Sequence, residues 1–370
     1  MPPTDDTTPP SPGAPPANDS RLPAAAPLRQ ALKQIDRNGK GIVLVTDGGG
    51  RLVGTITDGD IRRAILAGLA VDAPVSDLLA ARPAEHPRPV TAPVGTAADA
   101  LVRLMQDRGV RQIPLLDGDG RVSGLTTLDE LLPGVLPPAQ AVIMAGGFGS
   151  RLRPYTDDTP KPMLRVGDRP LMERTVGQLR AAGIRRVNVS THYLPEKIVG
   201  HFGDGRDFGV EFNYLQEDQP LGTAGALGLM DPPAGRCLVI NGDILTRVDF
   251  RALLAYHTEH AAALTVGVRT YEIDVPYGVV EADGPRVRRV VEKPSVRFFV
   301  NAGIYVLEPL AHALIPPGRR FDMTDLIALL IQEGHAVVSF PIVEYWLDIG
   351  RHPDYEQAQH DVRTGGRYAA

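Results

Sequence analysis

Residues 141–164 read AVIMAGGFGSRLRPYTDDTPKPML. The apolar run Ala141-Met144 suits a buried strand, and the chain passes from it directly into Ala145-Gly146-Gly147-Phe148-Gly149-Ser150-Arg151-Leu152. Glycines at these positions permit tight turns and bring backbone N–H groups close to an oxyanion, so phosphate is the natural guest. Two common phosphate motifs are excluded. The sixth position counted from Gly147 is Leu152, which breaks the dinucleotide fingerprint, and no Gly-Lys-Ser/Thr follows to make a Walker A loop. Lys161 then stands between Pro160 and Pro162, rigid neighbours that suit a fixed cationic contact.

Downstream the pattern alternates. A helix is expected over 170–182, closed by Gly183, then a strand over 187–190, a helix over 195–202 with proline in its first turn, and a strand over 210–215. A helix over 223–230, a strand over 237–241, a helix over 250–260 capped by Asp249 and a strand over 264–268 complete the series. Alternating βα units predict an α/β domain with a doubly wound, mostly parallel sheet, and ligands of such sheets sit at the carboxyl ends of strands.

Upstream, nine of the 34 prolines fall within residues 1–27 with hardly any large apolar side chains, so residues 1–23 are expected to be a disordered tail. Residues 24–138 contain two α/β units. Gly54-Thr55-Ile56-Thr57-Asp58-Gly59-Asp60-Ile61 stands 70 positions before Gly124-Leu125-Thr126-Thr127-Leu128-Asp129-Glu130-Leu131, so each unit carries a strand ending in Gly-x-x-Thr-x-x-acid before a helix. Prolines 137 and 138 mark a boundary, leaving 139–370 as the second domain.

The 370 residues carry 39 Lys plus Arg against 44 Asp plus Glu, a net charge of -5 that offers no basic surface for nucleic acid. A single cysteine, Cys237, excludes an internal disulfide and points to a reducing compartment. No run approaches the ~18 apolar residues of a membrane span, and the N-terminus lacks the features of a secretory signal. A soluble cytoplasmic protein with no membrane partner is expected. Nothing suggests zinc or a Ser-His-Asp set, and His192, His257 and Trp346 are read as packing residues.

Gly-Gly-x-Gly-Ser-Arg-Leu-x-Pro-x-Thr followed by Pro-Lys-Pro-Met-Leu closely resembles the signature of the sugar-1-phosphate nucleotidylyltransferases, which implies a Rossmann-like, GT-A-type domain with a mixed sheet. Further segments are similar to that family in the same order. Asn241-Gly242-Asp243 resembles the turn bearing a magnesium aspartate, and Tyr345-Trp346-Leu347-Asp348-Ile349-Gly350 the segment bearing a second. Glu292-Lys293-Pro294 and Asn301-Ala302-Gly303 resemble sugar-phosphate contacts, and Leu221-Gly222-Thr223-Ala224-Gly225 the loop beside the nucleobase.

The resemblance implies catalytic roles for Arg151, Lys161 and Asp243, with Mg2+ on Asp243 and Asp348. It implies nucleotide contacts from Ala145, Gly146, Gly147, Gly149, Ser150, Gln216, Glu217, Gly222 and Thr223. Sugar-phosphate contacts fall to Asn241, Glu292, Lys293 and Asn301. The substrates implied are an NTP and a sugar 1-phosphate. A carboxylate at Glu217 suits the two donors on the edge of guanine, which favours GTP. The run Gln216-Gly225 is similar to mannose-1-phosphate guanylyltransferases, and the whole arrangement to glucosamine-1-phosphate guanylyltransferases of nonulosonic acid pathways. Uridylyl or thymidylyl transfer within the same family and a non-catalytic nucleotide sensor are the alternatives.

Residues 24–135 resemble a tandem pair of CBS domains (α+β). In that family the Thr and acid of the repeated motif touch an adenosine nucleotide, which carries over to Thr57 with Asp60 and to Thr127 with Glu130. The alternative is that the pair only joins copies of the chain into a homo-oligomer, with Thr57 and Asp60 capping a helix.

Overall fold

The structure, a computed structural model, describes residues 20–81, 89–131, 139–365 and 368. The chain divides into two compact units, Met1–Val135 and Leu136–Ala370.

The first unit repeats itself in detail. Strands Arg21–Pro23, Ile42–Thr46 and Leu52–Thr57 make one three-stranded sheet, and Ala92–Pro93, Gln112–Leu116 and Val122–Thr127 make the other. In each half a helix, Leu28–Asn38 or Ala98–Arg108, ends at a left-handed glycine, Gly39 or Gly109. In each half a tight turn is tied by one aspartate, Asp47 or Asp117, whose Oδ1 accepts from N–H groups two and four residues on. The repeated motif forms reciprocal helix caps. Thr57 Oγ1 accepts from the Asp60 N–H at 3.1 Å while Asp60 Oδ2 accepts from the Thr57 N–H at 3.0 Å. Thr127 and Glu130 do the same at 3.3 and 3.0 Å. Residues 21–23, assigned to the tail by composition, pair in parallel with the strand Ile42–Thr46. Residues 1–19 and the punctuation at 132–138 lie outside the described residues.

The second unit is built on a seven-stranded sheet: β1 (Gln140–Met144), β2 (Arg186–Thr191), β3 (Glu211–Gln216), β4 (Cys237–Asn241), β5 (Leu264–Asp274), β6 (Ser295–Leu307) and β7 (Val337–Pro341). Their spatial order is β3-β2-β1-β4-β6-β5-β7. Strands β3, β2, β1 and β4 run parallel, while β6 runs antiparallel to both β4 and β5. Strand β7 pairs in parallel with β5, so β6 is the one reversed strand of the seven: the sheet is mixed but mostly parallel, as expected. Helices α1 (Leu171–Ala181), α2 (Pro195–Phe202) and α3 (Phe250–Glu259) pack on one face, and α4 (Met323–Gln332) on the other. Strand β1 reads as a continuous apolar run because Ala141 and Ile143 enter one core cluster and Val142 the other.

Two segments differ from the sequence-based expectation. In place of a helix over 223–230 there is a four-residue helical turn, Gly222–Gly225, followed by a 3-10 turn, Ala226–Leu229. Two glycines in the first turn and one in the second weaken helix formation, and the core accepts Ala224 and Leu227 from this tighter path. Beyond residue 268 the strand continues to Asp274, and Val279–Asp283 and Arg286–Val291 form a hairpin before β6. Solvent covers both sides of this ribbon, so it lacks the alternation that marks a half-buried strand.

His257 lies fully buried on α3, with Nδ1 2.7 Å from Thr265 Oγ1 and Nε2 3.3 Å from Glu308 Oε1. Burial pushes its imidazole down to about 4; Glu308 opposes that shift and Arg236 adds to it. Between pH 6.5 and about 4 the unfolded chain therefore binds a proton that the folded chain refuses. Stability should be complete above pH 6.5 and fall on acidification through that window. Melting temperatures recorded from pH 7.5 to 5 (bracketing the ~6.5 of a free imidazole) check this, and His257→Gln should flatten the slope.

Candidate functional site

The carboxyl ends of β1 and β4 lie side by side, with Met144 in register with Asn241. The Gly242 N–H donates to the Met144 carbonyl at 2.9 Å, and a Cβ on Gly242 would stand 2.7 Å from that oxygen. Only glycine admits this approach, and it delivers Asp243 to the mouth of the glycine loop.

The loop itself is fixed at both ends. The Ala145 N–H donates to the Ser190 carbonyl and hydroxyl at 3.1 and 3.2 Å. Gly149, at φ +63, has its carbonyl bound by the buried Thr156 hydroxyl at 2.8 Å. Between them Gly146 lies so close to Glu217 that a Cβ would stand 2.6 Å from Oε1. Glu217 is buried; its Oε2 accepts from the Leu221 N–H at 2.9 Å and its carbonyl from His192 Nδ1 at 2.7 Å. His192 thus holds a cavity residue, which goes beyond packing, whereas Trp346 is structural, its indole donating to the Ala302 carbonyl at 2.8 Å.

Lys161 occupies a 3-10 turn between its prolines and is only 9% exposed. Its ammonium lies 2.5 Å from Asp243 Oδ2. The other oxygen, Asp243 Oδ1, is buried without a hydrogen-bond partner among the described residues. Strand Trp346–Asp348 pairs with Ile244–Thr246 so that Asp348 faces Ile244 in register, and the Ile349 N–H donates to the Asp243 carbonyl at 3.0 Å. Crowding by surrounding protein raises the Asp348 carboxyl above the usual carboxylate range, and the Asp243 charge raises it further; Lys161 and Arg151 pull it down. An orphaned carboxylate oxygen beside a second carboxylate is a fitting donor set for a hard divalent cation such as Mg2+. No group of three or more acidic, His or Cys ligands occurs among the described residues, so remaining positions would fall to water and phosphate oxygens.

A cavity of about 280 Å³ opens here. Of the residues anticipated from sequence, Ala145, Gly146, Gly147, Lys161, Glu217, Gly222, Thr223, Asn241 and Asp243 line it. Gly149, Ser150, Arg151, Gln216, Asn301 and Asp348 lie outside its wall. Glu292 and Lys293 are exposed where the outer hairpin returns to β6, also away from the wall. Phe148, Pro162, Ser190 and Pro220 line the cavity and were not anticipated as site residues. Phe148 is half exposed and packs edge-on against His192 at 5.2 Å. Ser190, at the end of a βα strand beside the glycine loop, was findable from the strand-end rule alone.

The strand ends of a mixed α/β sheet thus bring together a glycine loop, a buried lysine and Asp243, with Asp348 on the adjoining two-stranded sheet. The nucleotidyl transferase family model matches residues 140–365, and the chain belongs to that family. The CBS domain model matches residues 21–67 and 75–136, so the first unit is a CBS pair. Mannose-1-phosphate guanyltransferase of Pichia angusta is 33% identical over 227 residues, 58% of this chain and 62% of that protein. Mannose-1-phosphate guanylyltransferase of Mycobacterium tuberculosis is 32% identical over 61% of this chain and 65% of its own length. A UTP–glucose-1-phosphate uridylyltransferase of Synechocystis is 33% identical over 60% and 63%. The chain thus spans less than two thirds of the length of these relatives. A crystal structure of a Bacillus anthracis protein assigned as a glucose-1-phosphate thymidylyltransferase superposes with a TM-score of 0.51 at 26% identity, covering 62% of this chain and 99% of that one.

Proposed function

We propose that the second unit transfers a nucleoside monophosphate from an NTP to a sugar 1-phosphate, releasing pyrophosphate. The observation that carries this is the buried Lys161–Asp243 pair beside the glycine loop, with Asp243 Oδ1 unpartnered and Asp348 on the neighbouring strand. An oxygen of the sugar phosphate bonds to the α-phosphorus as the bond from that phosphorus to the bridging oxygen breaks. The attacking group is already an anion at neutral pH, since the second pKa of a phosphate ester is about 6, so no general base is required. The obstacle is repulsion between two polyanions, which fixed cations and N–H dipoles offset.

The N–H groups of 146–150 would cradle the triphosphate, and Lys161 would sit against the transferring phosphate. Arg151, exposed on the turn after the loop, would favour the departing pyrophosphate. Mg2+ held by Asp243 and Asp348 would draw charge from the α-phosphate. Asn241 would contact the sugar from the cavity wall. Asn301 sits on neighbouring β6, its Oδ1 accepting from the Gly303 N–H at 3.0 Å. Glu292 and Lys293 would reach the sugar phosphate only from the exposed ribbon.

GTP is the nucleotide this site favours. With Oε2 tied to Leu221, Glu217 Oε1 remains as the acceptor at the cavity wall, suited to the donor edge of guanine. In Glu217→Gln the amide oxygen would keep the Leu221 N–H and turn an NH2 toward that edge. Its kcat/KM for GTP should fall by about tenfold relative to that for UTP. Equal losses for both nucleotides would remove Glu217 from base selection.

Pyrophosphate release, screened over the common NTPs with hexose and hexosamine 1-phosphates in Mg2+, tests the reaction. Tight nucleotide binding with no release from any pair would favour a non-catalytic sensor instead. In the CBS pair, Lys40 lies 2.9 Å from Glu130, so an adenine nucleotide placed there would have to displace that ion pair. No helix among the described residues is long and apolar enough to cross a membrane.

A further inference from the structure

The cavity wall formed by Gly222 and Thr223 belongs to a turn that cannot hold its own shape. Leu221–Gly225 contains one four-residue helical turn with two glycines, too short for helix formation to be favourable by itself. Its polar groups are instead satisfied by residues about a hundred positions away. The Thr223 N–H and hydroxyl donate to Asp322 Oδ1 at 2.9 and 3.4 Å, and the Met323 N–H donates to Thr223 Oγ1 at 2.8 Å. The Ala224 and Gly225 N–H groups donate to the Phe321 carbonyl at 3.0 and 2.8 Å, and the Phe321 N–H returns a bond to the Leu221 carbonyl at 2.9 Å. Asp322 is itself anchored at the start of α4, its N–H donating to Asp325 Oδ2 at 3.0 Å. The approach is close: Gly222 sits at φ +82, where a Cβ would lie 2.5 Å from Asp322 Oδ1.

We propose that Asp322 is a positioning residue for nucleotide binding, clamping the Leu221–Gly225 turn against Glu217 so that this wall of the cavity is formed before the nucleotide arrives. The inference rests on the cavity being the NTP site. Asp322 itself lies outside the cavity wall, and the Leu221 N–H, bound to Glu217 Oε2, is the link from the clamped turn to the residue assigned to the base. Thr223, anticipated as a nucleotide ligand, has its hydroxyl engaged in this clamp.

The test is steady-state kinetics and calorimetric GTP titration, in Mg2+, of the full chain. Asp322→Ala leaves the Thr223 N–H without its acceptor and should raise both KM and Kd for the NTP about tenfold, with kcat within about twofold and KM for the sugar 1-phosphate unchanged. Asp322→Asn retains an acceptor oxygen and should return KM to within about threefold of the wild type. The inference is overturned if Asp322→Ala keeps the wild-type KM for the NTP. It is likewise overturned if both KM values and kcat worsen together, or if Asn is as damaging as Ala. A wild-type chain that neither binds nor turns over any NTP removes the functional reading and this inference with it. A normal wild type with an unaffected Asp322→Ala removes the positioning role alone.

Discussion

Asp243→Asn is expected to lower the rate of pyrophosphate release by at least about a thousandfold while leaving the protein folded. The substitution is isosteric, so the Gly242 approach to Met144 and the pairing of Ile244 with Asp348 are undisturbed. What disappears is a charge with two uses. Oδ2 compensates the buried Lys161 ammonium at 2.5 Å, and Oδ1, with no hydrogen-bond partner among the described residues, is the oxygen left to take a cation. The loss should therefore fall on kcat, because charge developing on the transferring phosphate goes uncompensated. Pyrophosphate release under saturating substrates, alongside a melting curve showing a cooperative transition, checks the result. A folded Asp243→Asn variant with wild-type turnover would remove the two-aspartate site.

Lys161→Ala is the second large effect, expected at about a hundredfold to a thousandfold in kcat/KM. Lys161 lowers the pKa of the Asp348 carboxyl, whereas Asp243 raises it. Without the ammonium the two neighbouring carboxylates would keep only the more exposed Arg151 to offset their charge, and the phosphate would lose its only buried cation contact among the described cavity residues. A lysine 9% exposed and framed by Pro160 and Pro162 leaves little room for a longer guanidinium, so Lys161→Arg should rescue poorly. Measured kcat/KM for both variants separates these expectations; full activity in Lys161→Ala would exclude the lysine from the phosphate site.

Much of this protein was legible from local sequence. Ala141-Met144 and Cys237-Ile240 are short apolar runs each followed two positions on by glycine, and both proved to be central strands delivering loops to the site. The 70-residue repeat before them surfaced again in equivalent glycine helix ends, aspartate turns and helix caps. The ribbon beyond residue 268 was not legible, because its strands face water on both sides and carry no period to detect. The helix anticipated over 223–230 was half legible: Gly222, Gly225 and Gly228 weaken a helix locally, but the shape of its first turn is set by Asp322 and Phe321, contacts that no local window contains.

Sequence by itself therefore determined the kinds of chemistry available: a glycine loop for phosphate, a lysine held between prolines, and acidic residues at strand ends. Residue type and spacing dictate backbone freedom and charge, and these are local properties. Tertiary structure alone decided which of those groups meet. It set Asp243 beside Lys161 and Asp348, left Glu292 and Lys293 on an exposed ribbon, and fastened the wall of the cavity to a helix a hundred residues later. Convergence of that sort depends on strand order and on how closely backbones approach, and both are products of packing the whole sheet.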